Sequence, residues 1–164
     1  MNHQSETITA PGVFTPAALL DHWQGHRRVT RRMIEAFPDE KLFTYSVGGM
    51  RPFGELVYEF LGMAVPGVKG IATGKWEKWA DAEKVETKKE LLQLWDQATE
   101  DINRIWPSIP PHRFEENDSA FGQWPGTCIS FILYFIDNEI HHRGQAYVYL
   151  RSLGIAPPAF YDRS

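Results

Sequence analysis

From Thr127 to Leu153 the chain meets no proline and only one glycine, Gly144. This stretch constrains the fold more than any other. At 1.5 Å per residue it predicts a helix about 40 Å long, which needs other helices to bury its apolar sides. Its start falls near Pro125 to Thr127, and Gly154 stands where a C-terminal cap belongs.

Three further segments have helical spacing. Thr15 and Pro16 read as the N-cap and first residue of a helix carrying Leu19, Trp23, His26, Thr30, Met33 and Phe37, which stops near Ala36 because Pro38 follows. A second opens at Arg51 or Pro52, with Phe53, Leu56, Val57, Phe60 and Ala64 on one face. Gly62 weakens it and Pro66 is expected to end it. Thr87 and Glu90 form a capping-box pattern before a third stripe of Leu91, Leu94, Trp95, Ala98, Ile102 and Ile105, which closes before Pro107. Residues 65–81 and 107–126 read as long connections, the first with a short helical turn around Trp76 and Trp79. No segment shows strand periodicity. The expectation is an all-α four-helix bundle formed by residues 14–164, after a flexible lead-in over residues 1–13.

With 164 residues the chain suits one domain with a real core. A net charge of −4 gives no basic field for nucleic acid, and the basic run HRRVTRRM on the first helix reads as a solvated face. A single cysteine, Cys128, excludes an internal disulfide framework and fits a reducing cytoplasm. The first residues lack the pattern of a secretory signal, and no apolar run is long enough to span a bilayer.

The long fourth helix carries a polar insert. Phe131, Phe135, Asn138, His142, Gln145, Tyr149 and Leu153 share one face, so Asn138, His142 and Gln145 interrupt an aromatic stripe. His141 points elsewhere. Glu139 and Arg143, four apart on a third face, could pair, worth tenths of a kcal/mol if exposed. Residues four apart, such as Asn138 and His142, can offer two ligands to one metal, and a satisfied core or interface histidine is the simpler alternative. His22 and His26 are also four apart. His26 lies on its helix's apolar stripe, where it could face the same cavity as a substitute ligand or proton carrier, or be a half-buried histidine bonded to a neighbour.

The segment NEIHHRGQAYVYLRSLGIAPP resembles the C-terminal signature of the DinB family, H-x-x-x-H-R-G-Q followed by a leucine-arginine turn, glycine and prolines. RPFGELVYEFLGM is similar to the family's second helix, and LLDHWQGHRRVTRRMIEAF to its first. The resemblance implies an up-up-down-down four-helix bundle, often dimeric. It also implies a divalent metal, nickel or zinc, held by one histidine of the second helix and two of the fourth. In this sequence those positions are Glu59, Asn138 and His142, so two of the three depart from the pattern. Glu59 and His142 remain good ligands and Asn138 a poor one. Alternatively Glu59 accepts hydrogen bonds from His142 or Asn138 in a metal-free network.

The resemblance further implies a stress-associated, DNA damage-inducible protein and, for an enzyme, a metal-dependent thiol transferase or hydrolase. His142 would be a ligand, Glu59 a ligand or general base, Asn138 a weak ligand or substrate orienter, and Gln145 a tuning residue. The thiol would be a small cofactor of the bacillithiol or mycothiol type. The alternative is a non-catalytic, metal-free binding protein that keeps the bundle cavity.

Overall fold

A computed structural model describes residues 13–164; the expected lead-in, except Val13, lies outside the described residues. Five α-helices form the body: α1 (Pro16–Ala36), α2 (Asp39–Leu42), α3 (Phe53–Thr73), α4 (Lys88–Ile105) and α5 (Cys128–Ser152). The one-turn α2 apart, α1 and α3 each pack on both α4 and α5, closing a ring of four long helices. Among the described residues no helix is long and apolar enough to cross a membrane.

Local chemistry sets most of the ends. Thr15 Oγ1 accepts the Ala18 N–H (3.1 Å) and Pro16 opens α1. At α4 the capping box is complete, with the Glu90 N–H on Thr87 Oγ1 (3.2 Å) and the Thr87 N–H on Glu90 Oε2 (3.0 Å). Thr127 caps α5, and Gly154, at φ 76°, takes the left-handed conformation just past its end.

Pro66 does not end α3, which continues to Thr73 and stops at Gly74. An interior proline costs about 3 kcal/mol. The turns beyond it seat Val68 and Ile71, both fully buried, each worth about 1.5–3 kcal/mol. Continuing the helix therefore wins.

Two other expectations are corrected. The segment around Trp76 and Trp79 holds no helical turn. Trp76 instead lies against Gly70, whose missing Cβ leaves room for the indole. A two-stranded antiparallel hairpin also stands in the second connection, β1 (Asn117–Ala120) paired with β2 (Trp124–Thr127) in the register Ala120 to Trp124 and Asn117 to Thr127. Its strands are four residues each, and Pro125 and Gly126 sit in one of them, so alternation was too brief to read. Phe121 and Gly122, at φ 53° and 70°, make its tight turn.

The core is divided. One apolar cluster gathers Trp23, Ile71, Ile102, Trp106 and Ile136, and another gathers Met33, Phe53, Trp95, Ala146 and Leu150. Along α1 the step from Trp23 to Met33, and along α5 the step from Ile136 to Ala146, crosses a layer of buried polar side chains.

Candidate ligand cleft and polar site

That layer contains Arg27, Glu139 and Arg143, each less than 5% exposed, with His26 and Thr30. Glu139 Oε1 accepts from Thr30 Oγ1 (2.5 Å) and lies 3.7 Å from Arg143 Nη1, while Trp23 Nε1 reaches Oε2 at 3.4 Å. Arg143 also donates to the His26 carbonyl and to Thr30 Oγ1, and its Nη2 meets His26 Nδ1 at 2.9 Å. Arg27 donates to the Trp95 carbonyl and Thr99 Oγ1, with its guanidinium 4.0 Å from the centre of the Trp95 ring. The pairing of Glu139 with Arg143 is as expected, but its setting is not. It lies in the core, where α5 packs on α1, because Ile132, Ile136, Glu139, Arg143, Ala146 and Leu150 form a second buried stripe on this helix.

His26 belongs to this layer. The hydrogen bonds it makes are to Arg143 and Thr30, not to Glu59 or His142, so it does not join the expected ligand set. Burial, then the positive charges of Arg143 and Arg163 and the neighbouring His22, lower its pKa to about 3. The unfolded imidazole binds a proton near pH 6.5 and the folded one does not. The stabilisation is therefore complete above about pH 6.5 and is lost as pH falls toward 3. Between pH 6.5 and 4.5, before most carboxylates protonate, stability should fall by about 1–2 kcal/mol, allowing for screening near the ring. Urea unfolding at the two pH values measures this. His26→Asn, which cannot titrate, should flatten the difference, and an unchanged difference in that variant would refute the assignment.

The remaining site residues come together between α3 and α5. Asn138 Nδ2 donates to Glu59 Oε1 at 2.9 Å. His142 Nε2 stands 3.5 Å from the same oxygen, while its Nδ1 meets Gln145 Oε1 at 3.0 Å. Phe60 stacks beside the imidazole, with ring centroids 6.0 Å apart. Arg51, which sequence reasoning did not place here, reaches back from just before α3 to hold Glu59 Oε2 at 2.6 Å. Burial pushes the Glu59 pKa up. The hydrogen bonds from Asn138 and Arg51, with the charges of Arg51 and His142, more than reverse this, and the carboxyl titrates below its ordinary range. Asn138 Oδ1 is buried and has no hydrogen-bond partner among the described residues.

The donor chemistry bears on the metal that the resemblance implied. The three positions supply one imidazole, one carboxylate and one amide in place of three imidazoles. Both oxygens of Glu59 already receive N–H donors, one of them a guanidinium. Among the described residues no group of three or more His, Cys, Asp or Glu side chains is placed to hold a metal ion. So arranged, these residues do not fit the three-histidine centre.

Among the described residues, Glu59 is also the one charged residue in the wall of a cleft of about 660 Å³. Trp79, from the connection after α3, the hairpin residues Phe121 and Trp124, and Phe131, Tyr134 and Phe135 of α5 supply its aromatic surface. Gln123 and Ser130 add polar groups. Sequence reasoning found the aromatic stripe of α5 but not the cleft, because the opposite wall belongs to the unrecognised hairpin. Cys128 is buried and takes no part in the cleft wall, and burial raises its thiol pKa, as for an inert core residue.

A ring of four long helices, with a hairpin over one end of α5 and a polar trio between α3 and α5, defines a bundle of the DinB-like class. The chain belongs to the DinB family, whose model matches residues 4–164. It is similar in fold to a DinB-like protein of Bacillus subtilis, at 21% identity over 89% of this chain and 99% of that one, with a TM-score of 0.72. A DinB-like protein of Bacillus cereus matches at 20% identity over 88% of this chain and 97% of that one, with a TM-score of 0.71. No curated protein matches the chain.

Proposed function

We propose that this DinB-family protein is a metal-free small-molecule binding protein, in which a salt-bridged carboxylate replaces the family's metal centre beside an aromatic cleft. The observation that carries this reading is Glu59 itself. It is held by Arg51 on one oxygen and Asn138 on the other, and it forms part of the cleft wall. A pocket of several hundred Å³ with mostly apolar walls and few polar groups is the usual form of a small-molecule site.

One observation favours the competing reading, a metal-dependent transferase using a low-molecular-weight thiol. His142 has its Nδ1 anchored by Gln145 and turns Nε2 toward Glu59, the orientation that metal-binding imidazoles adopt. Metal analysis separates the two. Protein purified after growth with nickel and zinc supplied should carry less than about 0.1 metal per chain, whereas the double variant Glu59→His, Asn138→His should take up about one. About one metal per chain in the natural sequence would overturn the metal-free reading. The cleft is tested with the neutral fluorescent probe N-phenyl-1-naphthylamine. Saturable binding that weakens in Trp124→Ala is expected, and the absence of saturable binding would overturn the ligand-binding reading.

A further inference from the structure

We propose that the cleft selects an organic cation, an amine or quaternary ammonium carried on a small apolar body. This rests on the ligand-cleft reading above and adds the chemical class of the ligand.

Three observations carry it. First, among the described residues the wall contains a carboxylate and no lysine or arginine. An anionic ligand would meet Glu59 and find no cation among the lining residues. Second, the Glu59 carboxylate has acceptor capacity to spare. An ionised carboxylate offers about four lone-pair positions. Arg51 and Asn138 take one each at hydrogen-bond distance, and His142 Nε2, at 3.5 Å, is too far for a good hydrogen bond. An ammonium in the cleft can therefore be accepted without displacing Arg51.

Third, the aromatic rings present faces in more than one direction. Phe121 stands nearly perpendicular to Trp124, with centroids 6.2 Å apart and planes at 81°. It also meets Phe135 at 6.3 Å and 61°. Phe121 and Phe135 are themselves buried and hold this edge-to-face array in place, so a cation would meet the rings that stay open beside it. Trp124 and Tyr134 are 50% and 60% exposed, so part of this aromatic surface is open to an incoming ligand. Purely apolar cargo would use the rings and leave the carboxylate idle. A neutral hydroxyl can also donate to the carboxylate, but a cation adds charge attraction both to Glu59 and to the ring faces.

The test compares three ligands of one shape on the full chain: phenethylammonium, neutral 2-phenylethanol and anionic phenylacetate, each titrated by calorimetry and by quenching of tryptophan fluorescence. The cation should bind about tenfold more tightly than the alcohol, and the anion most weakly. Glu59→Gln should bring the cation and the alcohol to within about twofold of each other. Trp124→Leu, at a half-exposed site where folding is not at stake, should reduce cation affinity severalfold and leave the alcohol nearly unchanged. Equal or tighter binding of the alcohol in the natural protein would overturn the cation inference and leave the ligand-cleft reading standing. A cation preference that survives both substitutions would also overturn it. If none of the three binds and N-phenyl-1-naphthylamine also fails, the ligand-cleft reading falls with it.

Discussion

Glu139→Ala should destabilise the protein by about 3–5 kcal/mol, the cost of stripping one partner from a buried charge network. Glu139 is 2% exposed and, among the described residues, is the one carboxylate in the buried layer of Arg27, Arg143, His26 and Thr30, with contacts to Thr30, Trp23 and Arg143. Its removal leaves two guanidinium groups in the core. Arg27 keeps the Trp95 face, the Trp95 carbonyl and Thr99. Arg143 keeps the His26 carbonyl and Thr30, but loses its counter-charge. An exposed pair gives the contrast. Arg31 and Glu35, 37% and 45% exposed, lie four apart on α1, and Glu35→Ala should cost less than about 0.5 kcal/mol. Urea denaturation midpoints compare the two. A Glu139→Ala loss below about 1 kcal/mol would mean that water reaches this layer and that the network contributes little.

Gly62→Ala should destabilise by about 1–3 kcal/mol, although alanine is the better helix former by about 1 kcal/mol. A Cβ on Gly62 would lie 2.2 Å from the Ala80 carbonyl oxygen and 3.0 Å from Asp81 Cα. Those atoms are backbone, so no side-chain rotation relieves the clash. The connection between α3 and α4, a strap lying over α3 here, is also tied down nearby, by the Ala82 N–H on the Tyr58 carbonyl (3.0 Å) and by the Tyr58 hydroxyl on the Val85 carbonyl (2.9 Å). Displacing it also moves Trp79, so ligand affinity at the cleft should fall with stability. Gly144 on α5 is the control. Nothing lies within 4 Å of its Cβ position, and Gly144→Ala should stabilise by about 0.5–1 kcal/mol. Thermal unfolding of the two variants should move in opposite directions. A Gly62→Ala protein as stable as the natural one would show that the strap is not seated as described.

The four long helices and most of their ends, that of α3 excepted, were legible because they depend on neighbours in sequence. Thr15, the Thr87 and Glu90 pair, Thr127 and Gly154 act within one turn, and the 3.6-residue period placed Asn138, His142 and Gln145 on a common face. Glu59, singled out through the resemblance, lies beside Asn138, which donates to it. What failed depended on two sides of one element at once. On α5 the reading followed a single aromatic face. The helix is covered by α1 as well as α3, so Glu139 and Arg143 are core residues rather than a surface pair. The stripe that buries them was present in the sequence, with isoleucines before it and Ala146 and Leu150 after it, but only packing says that a second stripe is covered.

The sequence by itself determined four long helices and most of their caps, because these follow from local hydrogen bonding and periodicity. Only the tertiary structure decided that Pro66 lies within a helix, because the compensating burial of Val68 and Ile71 comes from other elements. It alone brought Arg51 onto Glu59 and set a hairpin opposite the aromatic residues of α5. Charge neutralisation across a loop and a cleft between two elements are properties of spatial neighbours, and residue spacing along one chain does not contain them.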